Sequence, residues 1–236
     1  MKPHSLNILY EDSDIIVCVK PHGLATQSKS FSSPDLEKML LNHIATTARA
    51  NGKSVGKPYL AVIHRLDQPV AGVLVFAKTP QAAKELNKQL QQSGFGKHYY
   101  ALVQGVPAAL SGTLEDYLVK DGRTNSSKVC DKSTKDAKLA RLAYQIVEKN
   151  NFPAFDLSVD SDTTLLEVKL DTGRHHQIRI QLSHMGCPIV GDTKYNPAAN
   201  ADNRSANHKT LCLCAYKLTF KHPRTKKEMH FEYPDV

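Results

Sequence analysis

Three short segments carry side chains that could do chemistry. The first is His64-Arg65-Leu66-Asp67-Gln68-Pro69, set between the apolar runs Leu60–Ile63 and Gly72–Ala77. It places a carboxylate beside a guanidinium in a loop between two buried strands. An Asp held there can act as nucleophile or base, provided a cation keeps it ionised. The plainer reading of this segment alone is an Asp that caps a turn and pairs locally with Arg65. The second segment is Asp171-Thr172-Gly173-Arg174-His175-His176-Gln177-Ile178-Arg179. A Gly ahead of a helix start, followed by Arg and polar residues, suits a phosphate or a carboxylate. Arg174 could grip a carboxylate through two parallel hydrogen bonds. Its plainer reading is a basic helix start that faces solvent. The third is Lys97-His98-Tyr99-Tyr100-Ala101-Leu102-Val103. On a strand, Tyr99 and Tyr100 point to opposite faces, so one can reach a cleft while the other packs; the plainer reading is that both pack.

No metal site is expected. His175, His176 and His184 invite one, but adjacent histidines diverge on a helix and no carboxylate completes a zinc pattern. The five cysteines (Cys18, Cys130, Cys187, Cys212, Cys214) show no paired spacing. Cys212 and Cys214 share one face of a strand run and read as buried, reduced thiols.

The elements that must position these segments follow from pattern. Asn7–Tyr10 and Asp14–Val19 read as strands around the turn Glu11-Asp12-Ser13, and Lys20-Pro21-His22-Gly23 breaks the pattern. Ser33-Pro34 reads as a cap with Pro at the first helical position, opening a helix of about three turns through Leu36, Met39, Leu40 and Ile44. Thr79-Pro80 repeats that signal before Ala82, Ala83, Leu86 and Leu90, and Gly94 suits the end of that helix. Residues 121–138 read as a basic surface loop or hairpin carrying Arg123, Lys128, Lys132, Lys135 and Lys138. Leu139–Val147, Thr164–Leu170 and Leu211–Phe220 read as strands, and His175–Met185 as a helix closed by Gly186 and Pro188. Asn51–Lys57 and Asn196–Lys209 read as exposed polar loops, the second a mobile one. The result is a mixed α/β domain with several strands, short turns and three main helices.

A chain of 236 residues can bury a sizeable core as one large domain or two packed halves. No apolar run reaches the roughly 18–20 residues of a membrane span, and Met1–Ser5 opens no signal peptide. A cytoplasmic protein is the expectation. The net charge of +8 and a pI near 9.2 point to a polyanionic partner, with nucleic acid first. Trp is absent, so base stacking would fall to Tyr, Phe, His or Arg.

Taken together, the segments resemble the RluA-type pseudouridine synthases. His64-Arg65-Leu66-Asp67 followed by Gly72-Val73-Leu74-Val75-Phe76-Ala77-Lys78 is similar to that family's signature. So are Lys97-x-Tyr99-x-Ala101-x-Val103-x-Gly105 and Thr172-Gly173-Arg174-x-His176-Gln177-Ile178-Arg179, the latter followed by Gly186-x-Pro188-Ile189-x-Gly191-Asp192. Ile8–Gly23, with its Lys20-Pro21-x-Gly23, and Leu211–Pro223 extend the likeness over nearly the whole chain, in the family's order. One departure is Val70-Ala71, where members often carry Thr-Ser; it removes any hydroxyl contact there and leaves the carboxylate.

The resemblance implies an α+β fold: a mixed, largely antiparallel sheet in two halves, with flanking helices and a central catalytic cleft. It implies isomerisation of uridine to pseudouridine in ribosomal or transfer RNA, with no metal or organic cofactor. Asp67 would be the nucleophile, attacking ribose C1′ or assisting loss of the 2′ proton. Tyr99 would stack on the flipped base and serve proton transfer, and Arg174 would pair with Asp67. Arg65 would fill the space a flipped base leaves, and His64, His176, Gln177, Arg179 and Lys97 complete the candidate RNA-binding set. The chain is expected to be a single catalytic domain over residues 1–236 without a separate N-terminal RNA-binding domain, to favour a compact hairpin target, and to be monomeric. Two rivals remain: a nucleosidase-type hydrolase, which would want a second carboxylate such as Asp171 or Asp192, and a non-catalytic RNA-binding protein on the same fold.

Overall fold

The computed structural model describes residues 5–28, 30, 32–52, 56–92, 94–148, 162–196 and 210–233. The chain divides into two compact units, one formed by residues 1–96 and 217–236 and the other by residues 97–216.

The first unit begins with the antiparallel pair β1 (Asn7–Glu11) and β2 (Ile15–Lys20), as the two runs rich in Ile, Val, Leu and Tyr around a turn predict. β2 runs antiparallel to β4 (Ala71–Ala77), and the short β3 (Ala61–Val62) pairs with the end of β4. The C-terminal hairpin joins the later part of β10 (Leu213–Lys221) to β11 (Glu228–Glu232), the latter not anticipated from sequence. Ile15, Val17, Val73, Val75 and Leu218 pack with Ala82 and Leu86 of α2 (Pro80–Gln91) and with Phe95 and Phe220. Ile16, Cys18, Leu74 and Phe76, on the other face of the same strands, are equally inaccessible. Strands buried on both faces read as continuous apolar runs, which is why β2 and β4 show no alternation.

Both helices of this unit start on capping chemistry, but only one at the expected residue. Thr79 caps α2 by accepting from the Ala82 N–H, with Pro80 next. α1 (Leu36–Ala50) is capped by Asp35, not by Ser33, and it is longer than three turns. The Asp35 carboxylate is buried and accepts from the N–H groups of Ser28 and Lys38 while pairing with the Lys38 ammonium. A charged acceptor with three donors outweighs a serine hydroxyl two residues earlier.

The second unit is ordered β10-β5-β9-β8-β6-β7, with antiparallel registers from β5 to β7. Here β5 is Gly96–Gln104, β6 Ser111–Asp121, β7 Ser126–Cys130, β8 Lys138–Val147 and β9 Thr163–Leu170. The long β6 escaped the sequence reading because its exposed residues outnumber its buried ones. The 121–138 segment is a β6–β7 hairpin followed by a turn, rather than an irregular loop. One face of this sheet buries Tyr99, Val168, Tyr144, Leu142, Ala140 and Leu118, the last two packed with Ile180 of α3 (Gln177–His184). Helix α3 starts two residues later than the pattern predicts, and Gln177–Leu182 are all buried. Gly191 is obligatory: its φ is +75°, and a Cβ there would sit 2.0 Å from the Thr210 carbonyl oxygen. The 197–209 part of the polar loop and residues 53–55 of the earlier one lie outside the described residues.

Candidate active site

In the first unit, the His64–Val70 segment is a clamped turn between β3 and β4. The Val70 N–H donates to the Asp67 carbonyl at 2.9 Å, closing the turn that carries the half-buried Asp67 side chain. Leu66 is buried, and its N–H and C=O both bond to the Thr26 hydroxyl, at 3.2 and 2.9 Å. Beneath the turn lies Lys20, fully buried, whose ammonium donates to the carbonyls of Leu24, Pro21 and Gln68 at 2.7–3.0 Å. The Gly23 N–H also donates to Gln68 O, and the Gln68 amide returns a bond to Gly23 O. Gly23 has φ +79°, which explains the glycine of Lys20-Pro21-x-Gly23. His64 sets its ring edge-on to Phe95 at 5.7 Å, and Arg65 is exposed. Thr26 is a supporting residue that motif reading missed; Lys20 stood in the quoted Lys20-Pro21-x-Gly23 run but without an assigned role.

In the second unit, Tyr99 lies on β5 opposite Val168, only 7% exposed. Tyr100, on the other face, stacks on Tyr216 at 4.0 Å between centroids, and the Tyr216 hydroxyl donates to Glu167. Burial and the Glu167 carboxylate push the Tyr216 phenol far above its ordinary range. The Thr172–Arg174 loop is built by Gln177, whose side-chain oxygen accepts from the Thr172 hydroxyl at 2.8 Å and the Arg174 N–H at 2.9 Å. The Gln177 amide donates to Arg141 O and Gln181. Arg174 itself is exposed, with its Nε donating to the Leu139 carbonyl at 2.8 Å. Lys97 reaches the same loop: a Cβ on Gly173 would stand 3.4 Å from its ammonium. Burial first, then the Arg174 charge, lowers the Lys97 pKa, against a weaker opposing pull from Asp171. Arg141 pairs with Asp171 at 3.3 Å, so three cations gather here against one carboxylate, and the loop can hold an anion.

The other members of the motif have partners of their own. Arg179 is 7% exposed, and its guanidinium grips Asp192 with two bonds of 2.7 Å. That pairing gives Arg179 a structural task within the fold, where the resemblance places it in the RNA-binding set. His176 is the N-terminal flank of α3 in a left-handed conformation (φ 54°), not a helical residue. Its ring stacks on His175 at 3.7 Å, so the two neighbours converge, contrary to helical geometry. Burial, reinforced by Arg179, His175 and Lys194, lowers the His176 pKa to about 3, and only Asp192 opposes them. His184 pairs with Asp116, away from both.

Cations concentrate along the β6–β7 hairpin and the turn into β8. Residues 120–141 hold seven (Lys120, Arg123, Lys128, Lys132, Lys135, Lys138, Arg141) against Asp121, Asp131 and Asp136, a net +4 of the chain's +8. Among the described residues, the one cluster with metal-ligand spacing is Asp12, Asp14 and His222. It is better explained without an ion: Arg224 occupies both Asp14 oxygens, His222 bonds Asp12, and His222 Nδ1 accepts from the N–H groups of Arg224 and Thr225. The five cysteines are thiols that form no disulfide among the described residues, and all but Cys130 are buried.

A sequence model of the RNA pseudouridylate synthases matches residues 14–184, which include the Asp67 turn, Tyr99 and the Arg174 loop. The chain belongs to this family. An RNA pseudouridine synthase of Bacillus subtilis, YlyB, is 32% identical over 99% of this chain and 70% of its own length. One from Aquifex aeolicus is also 32% identical, over 98% of this chain and 71% of its own. The ribosomal large subunit pseudouridine synthase D of Nitrosomonas europaea is 33% identical over 97% of this chain and 62% of its own. Two human structures share the fold at 22% identity. RNA pseudouridylate synthase domain containing 1 gives a TM-score of 0.75 over 100% of this chain and 86% of its own, and domain containing 4 gives 0.71 over 96% and 87%. The RluA-type likeness, the mixed and largely antiparallel fold and the isomerase class inferred from the motifs therefore stand. No helix among the described residues is long and apolar enough to cross a membrane.

Proposed function

We propose that this pseudouridine synthase isomerises a specific uridine in ribosomal or transfer RNA, with Asp67 as its reacting carboxylate. In that reaction the N1–C1′ bond breaks and a C5–C1′ bond forms. The C5 proton leaves, and N1 ends protonated. Asp67 either attacks C1′ or assists loss of the 2′ proton. Tyr99 provides the surface on which the base turns and the group for proton transfer. Arg174 supplies the cation that a reacting carboxylate needs to stay ionised.

The observation that carries this reading is the Asp67 turn, which Thr26, Lys20 and Gly23 hold by side-chain and backbone bonds at the site of the family's signature. A catalytic side chain gains most from a loop fixed in this way. The target uridine must leave its stack, at a cost of a few kcal/mol. Exposed Arg65 is suited to occupy the vacated space or hold a phosphate. The basic 120–141 segment would grip the phosphate backbone, making binding salt-dependent, and recognition would rest on RNA shape and splayed bases. The test is a map of pseudouridine across total RNA from cells with and without the gene. One or a few uridines should lose the modification in its absence and regain it with the wild-type protein. An unchanged map would overturn the proposal.

A further inference from the structure

The second unit contains a hydrogen-bonded bridge that the reaction as described does not use. It links the basic β6–β7 hairpin to the Arg174 loop, and its centre is Tyr195. The Ser127 N–H donates to the Tyr195 hydroxyl oxygen at 2.9 Å, and the same hydroxyl lies 2.6 Å from His176 Nδ1. Beside it, the buried Ser127 hydroxyl bonds His175 Nδ1 at 2.9 Å. Asp192 Oδ1 accepts the N–H groups of Lys194 and Tyr195, while its carboxylate is gripped by Arg179, whose guanidinium also lies 5.0 Å from the Tyr195 ring centroid. The Lys194 ammonium reaches the hairpin tip, donating to the carbonyls of Thr124 and Asn125.

The geometry points to Tyr195 as a positioning residue: its hydroxyl, between Ser127 and His176, fastens the basic hairpin to the Arg174 loop, so that seating the hairpin on RNA sets the loop for reaction. This inference rests on the pseudouridine synthase reading. Three features support it. The hydroxyl takes the Ser127 N–H on its oxygen and has its own proton to give to His176 Nδ1, a direction that suits an imidazole kept neutral by burial. His176 holds a left-handed conformation that a non-glycine residue adopts only when its surroundings enforce it. Two residues before it, Arg174 has its backbone N–H held by Gln177, so little slack separates the bridge from the Arg174 side chain.

The experiment compares wild type, Tyr195→Phe, the double variant Arg123→Ala/Lys128→Ala, and all three changes together, each in the full chain. The probe is total RNA labelled with tritium at uridine C5, taken from cells lacking the gene. Label release with enzyme in excess gives a limiting rate and a half-saturating enzyme concentration. Tyr195→Phe keeps the ring and removes one hydrogen-bonding group, so its limiting rate should fall about tenfold. Removing the hairpin charges should weaken binding in both backgrounds, but lower the limiting rate only when Tyr195 is present. A limiting rate within twofold of wild type for Tyr195→Phe overturns the coupling, as does a lower melting temperature with no rate effect. Rate losses that simply multiply in the combined variant overturn it too. If Tyr195→Phe does not fold, His176→Asn, which tolerates the left-handed φ but draws its side chain back from the Tyr195 hydroxyl, takes its place in the cycle, with the same outcomes required. No release by wild type overturns the underlying activity, which is distinct from release that Tyr195→Phe leaves unchanged.

Discussion

Replacing Arg179 separates a structural role from an RNA contact. Its side chain is 8% exposed and that of Asp192 0%, and the two share bonds of 2.7 Å. Truncating Arg179 strands the Asp192 charge among buried groups, with only the N–H groups of Lys194 and Tyr195 left from this network. Breaking one side of a buried pair of this kind costs about 3–5 kcal/mol. Loss of the cation against the Tyr195 ring adds about 1 kcal/mol. Arg179→Met should therefore lower unfolding free energy by about 4–6 kcal/mol in urea titrations followed by circular dichroism at pH 7. Arg179→Met/Asp192→Asn should recover part of that loss, since Asn keeps an acceptor for the two N–H groups and removes the unpaired charge. Filter binding to total RNA at low salt should change little at temperatures where the single variant is folded. A loss under 1 kcal/mol, together with RNA binding weakened tenfold, would refute this assignment and return Arg179 to the RNA-contacting set.

Other perturbations test the supports around the site. Lys20→Met keeps the volume but cannot donate to the carbonyls of Pro21, Leu24 and Gln68. Amide exchange at Gly23 and Val70 should then accelerate about tenfold, while amides of β2 keep their protection; unchanged exchange would mean the ammonium does not hold the turn. Asp14 lies below the usual carboxylate range, chiefly because Arg224 donates to both its oxygens. The resulting stability is complete above the unfolded pKa near 4 and is lost as pH falls through the lower folded value. Arg224→Ala should thus narrow the difference in melting temperature between pH 6 and pH 2.5, only modestly because Arg224 is largely exposed; an undiminished difference would contradict the pairing. His176, with its folded pKa lowered by burial to about 3, works in the same sense but in a higher pH window, beginning at the unfolded imidazole value near 6.5. Unfolding exposes a more basic imidazole, so acidification from pH 7 to 5 favours the unfolded chain. His176→Asn, which tolerates φ near +54°, should lose part of that sensitivity; an identical pH profile would show that the ring is not held neutral.

Much of this was legible in the sequence where local chemistry decides structure. Thr79-Pro80 opened a helix because hydroxyl capping and a preset φ act within a few residues. The buried strand after Asp67, β4, was visible as an apolar run, whereas the run before it forms only the two half-buried residues of β3. The reading failed where distant partners decide. Asp35 displaced Ser33 as cap because Ser28 and Lys38 converge on it. The Arg179 pairing with Asp192, thirteen residues on, is likewise not announced by the motif that contains the arginine. β6 was invisible because an edge hairpin with a solvated face carries a weak apolar pattern. The clamps on the Asp67 turn come from Lys20 and Thr26, more than forty residues earlier (Lys20 to Gln68 spans 48), and no local motif announces such a pairing.

The most direct measurement is release of C5 tritium from labelled RNA by wild type and by Asp67→Asn, with free uracil assayed in the same reactions. The expected result is steady release by wild type without free uracil, and none by an Asp67→Asn protein that melts at the wild-type temperature and still binds RNA. Release at the wild-type rate from Asp67→Asn, or uracil accumulating in step with tritium, would contradict an isomerase built on this carboxylate.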